Sequence, residues 1–305
     1  MPSLPLALSP PADLVAGVRV MLALLAGLTL ATAIVVRPGR AAAGMLRAQV
    51  TSWWFLLPPV FAAWALYPLG VSALVLAISA LAARELADLS DAPGAARLRR
   101  RFLGLLVAQA ALDAAGLEPW GAAAMLAFAA VHFRVWRAAA ATRRDGLLQA
   151  LFGLQAAGLG CLVILGSQPV SRPPSATWFL YLCVVTALND IGQFLVGTRF
   201  GRHKLAARVS PNKTWQGVGG GLASSVLFSM AVGHALGLAS LPWLCGMGIA
   251  LCVAGLAGDL LFSAAKRLLG IKDYSGLIPG HGGILDRVDS LVLTAPVLLL
   301  ALRFA

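Results

Sequence analysis

Polar and apolar residues do not alternate along this chain. Apolar residues come in runs long enough to cross a bilayer as helices, parted by short polar breaks. The runs fall at about 14–36, 52–67, 69–87, 102–117, 119–134, 146–167, 176–190, 217–238, 241–262 and 288–303. Pro68-Leu69-Gly70, Asp91-Ala92-Pro93-Gly94, Glu118-Pro119 and Pro173-Pro174 mark breaks between them. The pattern predicts an all-α polytopic membrane protein of about ten spans, or nine if the first run is not a true span. We divide it into an N-terminal transmembrane bundle, residues 1–175, and a C-terminal transmembrane region, residues 176–305, that carries the polar motifs.

Composition agrees, with 59% of residues hydrophobic and 12% charged. The net charge of +12 resembles that of a nucleic-acid binder, but its distribution points to membrane topology instead. Of the 24 Lys and Arg, all but Arg19, Arg172 and Arg303 fall in or beside alternate loops, after runs one, three, five, seven and nine. By the positive-inside rule those loops are cytoplasmic and both termini lie on the other side. No nucleic-acid partner is expected. Cys161, Cys183, Cys245 and Cys252 lie in apolar runs without a CxxC, so we read them as packing residues. The first apolar run has no basic region before it, so no cleavable signal is expected.

Two cytoplasmic stretches hold the candidate chemistry. The first runs from Asn189-Asp190 through Gly197, Arg199, Gly201, Arg202 and Lys204 to Ser210-Pro211-Asn212-Lys213-Thr214. Ser210 before Pro211 reads as a helix N-cap with Pro in the first turn, a terminus whose free amides suit phosphate. It is not a Walker A loop, because Gly is absent before Lys213. Gly217, Gly219, Gly220 and Gly221 read as close helix packing. The second stretch, Ser263 to Asp289, holds Lys266, Arg267, Lys272, Asp273, His281, Asp286, Arg287 and Asp289, with Asp259 just upstream. Its Pro279-Gly280-His281-Gly282-Gly283 turn cannot be regular helix and offers backbone amides.

Only twelve acids occur in the chain, and Asp190, Asp259, Asp273, Asp286 and Asp289 gather in these two stretches at the ends of apolar runs. Carboxylates are costly in a membrane, and several converging on one face suit a divalent metal, a hard cation that prefers oxygen ligands. Asp286 and Asp289 sit i,i+3 at the start of the last run, on one face of a helical first turn. His281 is a candidate phosphate donor or general acid/base. His132 and His234 read as structural, and Arg84, Glu85 and Asp88 as a cap or pair closing the third run.

The two stretches together carry a resemblance. Ser263-x2-Lys266-Arg267-x4-Lys272-Asp273-x-Ser275-x2-Ile278-Pro279-x-His281-Gly282-Gly283-Ile284-x-Asp286-Arg287-Val288-Asp289 resembles the signature of the phosphatidate cytidylyltransferases, the CDP-diacylglycerol synthases. Val209-Ser210-Pro211-x-Lys213-Thr214 and Gly197…Gly201-Arg202-x-Lys204 resemble that family too; the first half of the chain matches it only as apolar spans. The resemblance implies a magnesium-dependent nucleotidyltransferase, working with one metal ion or two. CTP and phosphatidic acid, or a related lipid phosphate, give CDP-diacylglycerol and pyrophosphate. Asp259, Asp286, Asp289, Lys266, Arg267 and His281 would be catalytic. Ser210, Lys213, Thr214, Lys272 and Arg287 would hold substrate phosphates, and Asp190, Asp259, Asp286 and Asp289 the metal. The expected setting is a bacterial inner membrane with the site facing the cytoplasm, and a homodimer is an expected assembly.

This chain departs from the family pattern twice. Asp190-Ile191-Gly192-Gln193-Phe194 stands where the family commonly has Asp-Ser-Gly-Ala-Tyr, and Phe262 stands where it commonly has an acid. The departures keep open a related CTP-dependent transferase acting on another lipid, such as an isoprenoid phosphate or alcohol. A transporter is the alternative from a different class; it calls for ionisable groups near the membrane midplane, whereas here they cluster at one face.

Overall fold

The computed structural model describes residues 58–66, 69–90, 95–114, 143–167, 175–277 and 282–304, with isolated residues between 18 and 130. Helices α1 (Leu69–Asp88), α2 (Ala95–Ala114), α3 (Arg143–Ser167) and α4 (Ser175–Phe200) come first. An antiparallel hairpin follows, β1 (Lys204–Ala206) with β2 (Ser210–Thr214). Then come α5 (Trp215–Ala235), α6 (Leu241–Leu268) and α7 (Leu285–Phe304). Among the described residues five helices, α1, α3, α4, α5 and α6, are long and apolar enough to cross a membrane. The protein is therefore a polytopic helical integral membrane protein.

The described residues do not reach the expected ten spans. The runs predicted at 14–36 and 119–134 lie almost wholly outside them, and of the run at 52–67 the structure describes chiefly a helical segment at 58–65. Helix α2 starts upstream of its predicted run and takes in Arg97, Arg99, Arg100 and Arg101, so it is not among the five. Neither is α7, whose first two turns carry Asp286, Arg287 and Asp289.

Neighbouring helices pack in the order α2, α1, α3, α7, α6, α5, α4, and α4 also touches α3, α6 and α7. The core between α1, α2 and α3 is aliphatic and aromatic: Val75, Leu86, Leu106, Leu151 and Leu159 are buried, and Phe102 meets Phe152 edge to face at 6.4 Å. Between α4, α5, α6 and α7 the contact is closer and more polar. A Cβ on Gly221 would stand 2.3 Å from Gln193 Cγ, and one on Gly258 would stand 2.5 Å from the Asp289 carbonyl oxygen. Glycine at these two places lets α5 lie against α4, and α6 against α7, at backbone distance.

Two expectations are corrected in the stretch after α4. That helix was expected to end near residue 190 but runs ten residues further, so Asn189 and Asp190 lie within it. Asn189 is buried and Asp190 half-buried against Ser290 of α7, and nothing there interrupts the backbone ladder. The predicted cap at Ser210 is not one. Ser210 and Pro211 belong to β2, where a two-stranded ribbon tolerates a residue without an N–H. The α5 cap is Thr214, extended at φ −130° and ψ 153°, whose Oγ1 accepts from Gly217 N at 3.1 Å. Gln216 fastens the hairpin to α5. Its Oε1 accepts from Arg202 N at 3.0 Å and from His203 N at 3.2 Å. The expectation of an all-α chain gains this hairpin.

Candidate functional site

Helix α6 delivers Asp259 and Ser263 from its last turns and Lys266 and Arg267 from its very end. The end is set by Gly270, at φ 71°, where Ile271 N returns to Lys266 O at 3.0 Å and Gly270 N to Arg267 O at 3.2 Å. The two cations in the last turn suit the negative end of the helix dipole. Arg267 Nε then donates to Val209 O at 3.2 Å, tying the hairpin turn to α6.

The hairpin brings Lys213 over α6. Its Nζ lies 2.7 Å from Asp259 Oδ2, with 15% and 26% of the two side chains exposed, and donates to Gln193 Oε1 at 3.0 Å. Ser263 Oγ donates to the other Asp259 oxygen at 3.1 Å. Asp190 lies behind this pair. It accepts from Ser290 Oγ at 3.2 Å and from Asn189 Nδ2 at 3.4 Å, and it is within electrostatic reach of Lys213, Asp259 and Arg287. Asp289 is buried, its Oδ1 accepting from Ser290 N at 2.8 Å, in the field of Asp259, Asp190 and Lys266. Asp190, Asp259 and Asp289, from three helices, thus share one partly buried region with Lys213.

Asp286 has a different place. Its Oδ1 receives Lys266 Nζ at 2.6 Å, and its Oδ2 accepts from Tyr274 N and Gly283 N, both at 3.0 Å. Gly282, at φ 78°, makes room, since a Cβ there would meet Asp286 Oδ2 at 2.9 Å. The two acids share a face of the first turns of α7, as their i,i+3 spacing predicts, but their partners differ. Asp286 braces the loop before α7, and Asp289 faces Asp190 and Asp259. Among the described residues no three carboxylate, histidine or cysteine side chains are drawn into one ready metal shell.

The remaining candidates divide. Thr214 is buried and its hydroxyl is used in the α5 cap. Ser210 is half-buried on β2, while Arg267, Lys272 and Arg287 are exposed. His281 lies outside the described residues. The loop amides expected to receive phosphate are already engaged: Gly283 N by Asp286, and Ile284 N and Leu285 N by Glu85. Glu85 was expected to pair or cap at the end of its own helix. Arg84 and Asp88 do pair there, at 3.5 Å on the exposed face, but Glu85 turns inward from α1. An acid between Arg84 and Leu86, with Asp88 close by, reads as part of a local charge pair and carries no sequence sign of that destination.

The two departures also find their places. Phe262 is fully buried, meets Tyr274 edge to face at 6.2 Å, and its carbonyl accepts from Tyr274 Oη at 3.1 Å. Burial first, with Asp286 and Asp289 adding to it, raises the Tyr274 phenol above its usual pKa and keeps it a neutral donor. Gln193 acts as the second ligand of Lys213. Lysine only donates, so the Gln193 amide must turn Oε1 toward it, which leaves Nε2 buried without a partner.

Fold and site together define a membrane-embedded helical protein with paired cations and carboxylates at one end of its last four helices. Residues 47–305 match the cytidylyltransferase family, and the chain belongs to that family. It is 39% identical over 129 residues to a phosphatidate cytidylyltransferase of Staphylococcus aureus (strain COL), covering 42% of this chain and 50% of that protein. Over 147 residues it is 40% identical to a phosphatidate cytidylyltransferase of Pseudomonas aeruginosa, covering 46% of this chain and 54% of that one. It is also 41% identical over 125 residues to the uncharacterised Escherichia coli protein YnbB, covering 41% of this chain and 42% of YnbB. The chain thus matches about half the length of these curated relatives or less.

Proposed function

We propose that the protein is a CTP:lipid-phosphate cytidylyltransferase whose acceptor is phosphatidic acid or a closely related lipid phosphate. An oxygen of the lipid phosphate attacks the α-phosphorus of CTP. The new P–O bond forms as the bond to the β-phosphate breaks, and pyrophosphate leaves with the electron pair. Such a transfer asks a protein for alignment and charge neutralisation more than for covalent chemistry. The observation that carries the reading is the Lys213–Asp259 pair beside the half-buried Asp190 and the buried Asp289. A cation already neutralises one of three neighbouring carboxylates there.

On this reading Lys213 exchanges Asp259 for a phosphate, and the exposed Lys272, Arg267 and Arg287 are further cations for it. Asp259, Asp289 and Asp190 have the hard oxygen donors and the surplus negative charge that suit magnesium, and Lys213 holds the place of one positive charge. When bound, magnesium would stabilise the charge that develops on the phosphoryl oxygens. The positive-inside distribution of Lys and Arg supports a cytoplasmic mouth, where CTP is dissolved and the lipid headgroup is at hand.

The acceptor is the open part of the reading. Gln193, where the family commonly has Ala, holds Lys213, so the two departures near the site bear on it. The experiment is incorporation of labelled CTP into lipid by the purified protein, with phosphatidic acid and isoprenoid phosphates as acceptors and EDTA as control. We expect magnesium-dependent labelling, strongest with phosphatidic acid. No lipid-linked nucleotide with any acceptor overturns the proposal.

A further inference from the structure

Glu85 stands in α1, in the half of the chain where the family signature is absent, yet its carboxylate ends inside that signature. It is 5% exposed. Oε1 accepts from Ser275 Oγ at 2.6 Å and Ile284 N at 2.8 Å, and Oε2 accepts from Leu285 N at 2.8 Å. Gly283 is pressed against it, for a Cβ there would stand 2.5 Å from Oε2. Leu285 opens α7, so the contact lies at the positive end of the helix that carries Asp286 and Asp289. All three partners only donate in these bonds, and both acceptor oxygens are needed. A buried charge is kept in such a place only when its bonds are this complete.

The neighbouring amide, Gly283 N, goes to Asp286. Amides 283, 284 and 285 are thus all claimed by carboxylates of the chain, one from α7 itself and two bonds from α1. Whatever phosphate enters the site meets cations, not this helix terminus.

We propose that Glu85 is a positioning residue for the transfer. It pins the loop between α6 and α7, and with it the start of α7, so that Asp286 stays on Lys266 and Asp289 faces Asp259 and Asp190. The inference rests on the proposed transfer for its kinetic arm, and on the contacts alone for its structural arm. Glu85→Gln keeps the shape, but in either orientation its NH2 group faces a backbone amide, Ile284 N or Leu285 N, that can only donate. Ser275→Ala removes one of the three donors and leaves both amide bonds. Glu85→Asp withdraws the carboxylate by one methylene.

Two measurements test this. The first is hydrogen–deuterium exchange in the detergent-purified protein, which needs no substrate. We expect Glu85→Gln to speed exchange selectively in peptides covering residues 282–290, by about tenfold or more, while α3 and α5 stay as in the wild type. The second is steady-state kinetics with CTP and phosphatidic acid, scaled to the folded fraction. We expect kcat to fall by about a hundredfold in Glu85→Gln, as displaced reacting groups do, with the KM for CTP within about threefold of wild type. Glu85→Asp should recover part of the loss and Ser275→Ala should cost the least. If Glu85→Gln does not accumulate, Ser275→Ala carries both measurements, with the same direction and a smaller size. Uniform or unchanged exchange overturns the proposal, as does wild-type kcat per folded molecule. A wild-type protein with no transferase activity overturns the proposed function while leaving the exchange result to decide the role of Glu85.

Discussion

At the scale of single residues, the acids of α7 show how a shared helix face differs from a shared role. Spacing alone made Asp286 and Asp289 equivalent. The side chain of Asp286 is 5% exposed and paired with Lys266 at 12% exposure, and it also holds two loop amides. Removing one partner of such a buried pair leaves the other charge uncompensated, at a cost of about 3–5 kcal/mol. Asp289 has one backbone partner shown and two carboxylate neighbours, so neutralising it relieves repulsion. We therefore expect Asp286→Asn to lower the melting temperature and activity together. Asp289→Asn should melt at or above the wild-type temperature, with turnover down at least about a hundredfold and a raised magnesium requirement, the scale of losing an electrostatic stabiliser. Melting curves beside initial rates at varied magnesium check both. Wild-type rates in Asp289→Asn would remove Asp289 from the site.

At the scale of elements, the hairpin between α4 and α5 is what delivers Lys213. Its geometry depends on Thr214, which ends β2 and caps α5 in one residue. Glycines at 197 and 201 let it sit on the end of α4, with a Cβ on Gly197 only 3.2 Å from Thr214 Oγ1. Losing such a cap costs about 1 kcal/mol. Thr214→Ala is expected to lower stability by about that amount, and Thr214→Ser to retain it. Because the cap fixes where β2 meets α5, Thr214→Ala should also raise the KM for CTP severalfold through Lys213. Thermal melts and Michaelis curves for the two variants measure this, and identical melts for Ala and Ser would show the cap is idle.

At the scale of the whole molecule, the site's charges lie at one end of the bundle. Helix α5 begins at the hairpin and spans roughly 30 Å at 1.5 Å per residue, so the turn between α5 and α6 lies at the far side of the membrane. Single cysteines placed in a cysteine-free background test this. Arg208→Cys, in the hairpin turn, should react with an impermeant maleimide only in inside-out vesicles, and Ser240→Cys only in right-side-out ones. The reverse pattern would put the site outside the cytoplasm. The bundle is also tied across the boundary drawn at residue 175: α7 packs on α3, and Glu85 of α1 closes the loop before α7.

The sequence by itself determined the class of the protein and its helical, membrane-spanning character, and it marked the charged residues that the structure gathers at one end of the last four helices. Apolar runs of spanning length must be helical in lipid, because no water is present to satisfy the backbone. Charges are rare in such a chain, and Asp190, Lys213, Asp259, Lys266, Asp286 and Asp289 stood out in or beside its two polar stretches. Local patterns were less reliable where two structures suit the same residues. Ser210-Pro211 fits a helix start or a ribbon, and only the contacts of His203, Gln216 and Thr214 decide for the ribbon. Partnership was decided by the tertiary structure alone. Lys213 finds Gln193 and Asp259, Asp286 parts from Asp289, and Glu85 crosses from α1 to the start of α7 across 200 positions of sequence. Periodicity records which face of a helix a residue occupies. What that face meets depends on how closely the helices approach, and glycines such as Gly258 and Gly283 set that distance.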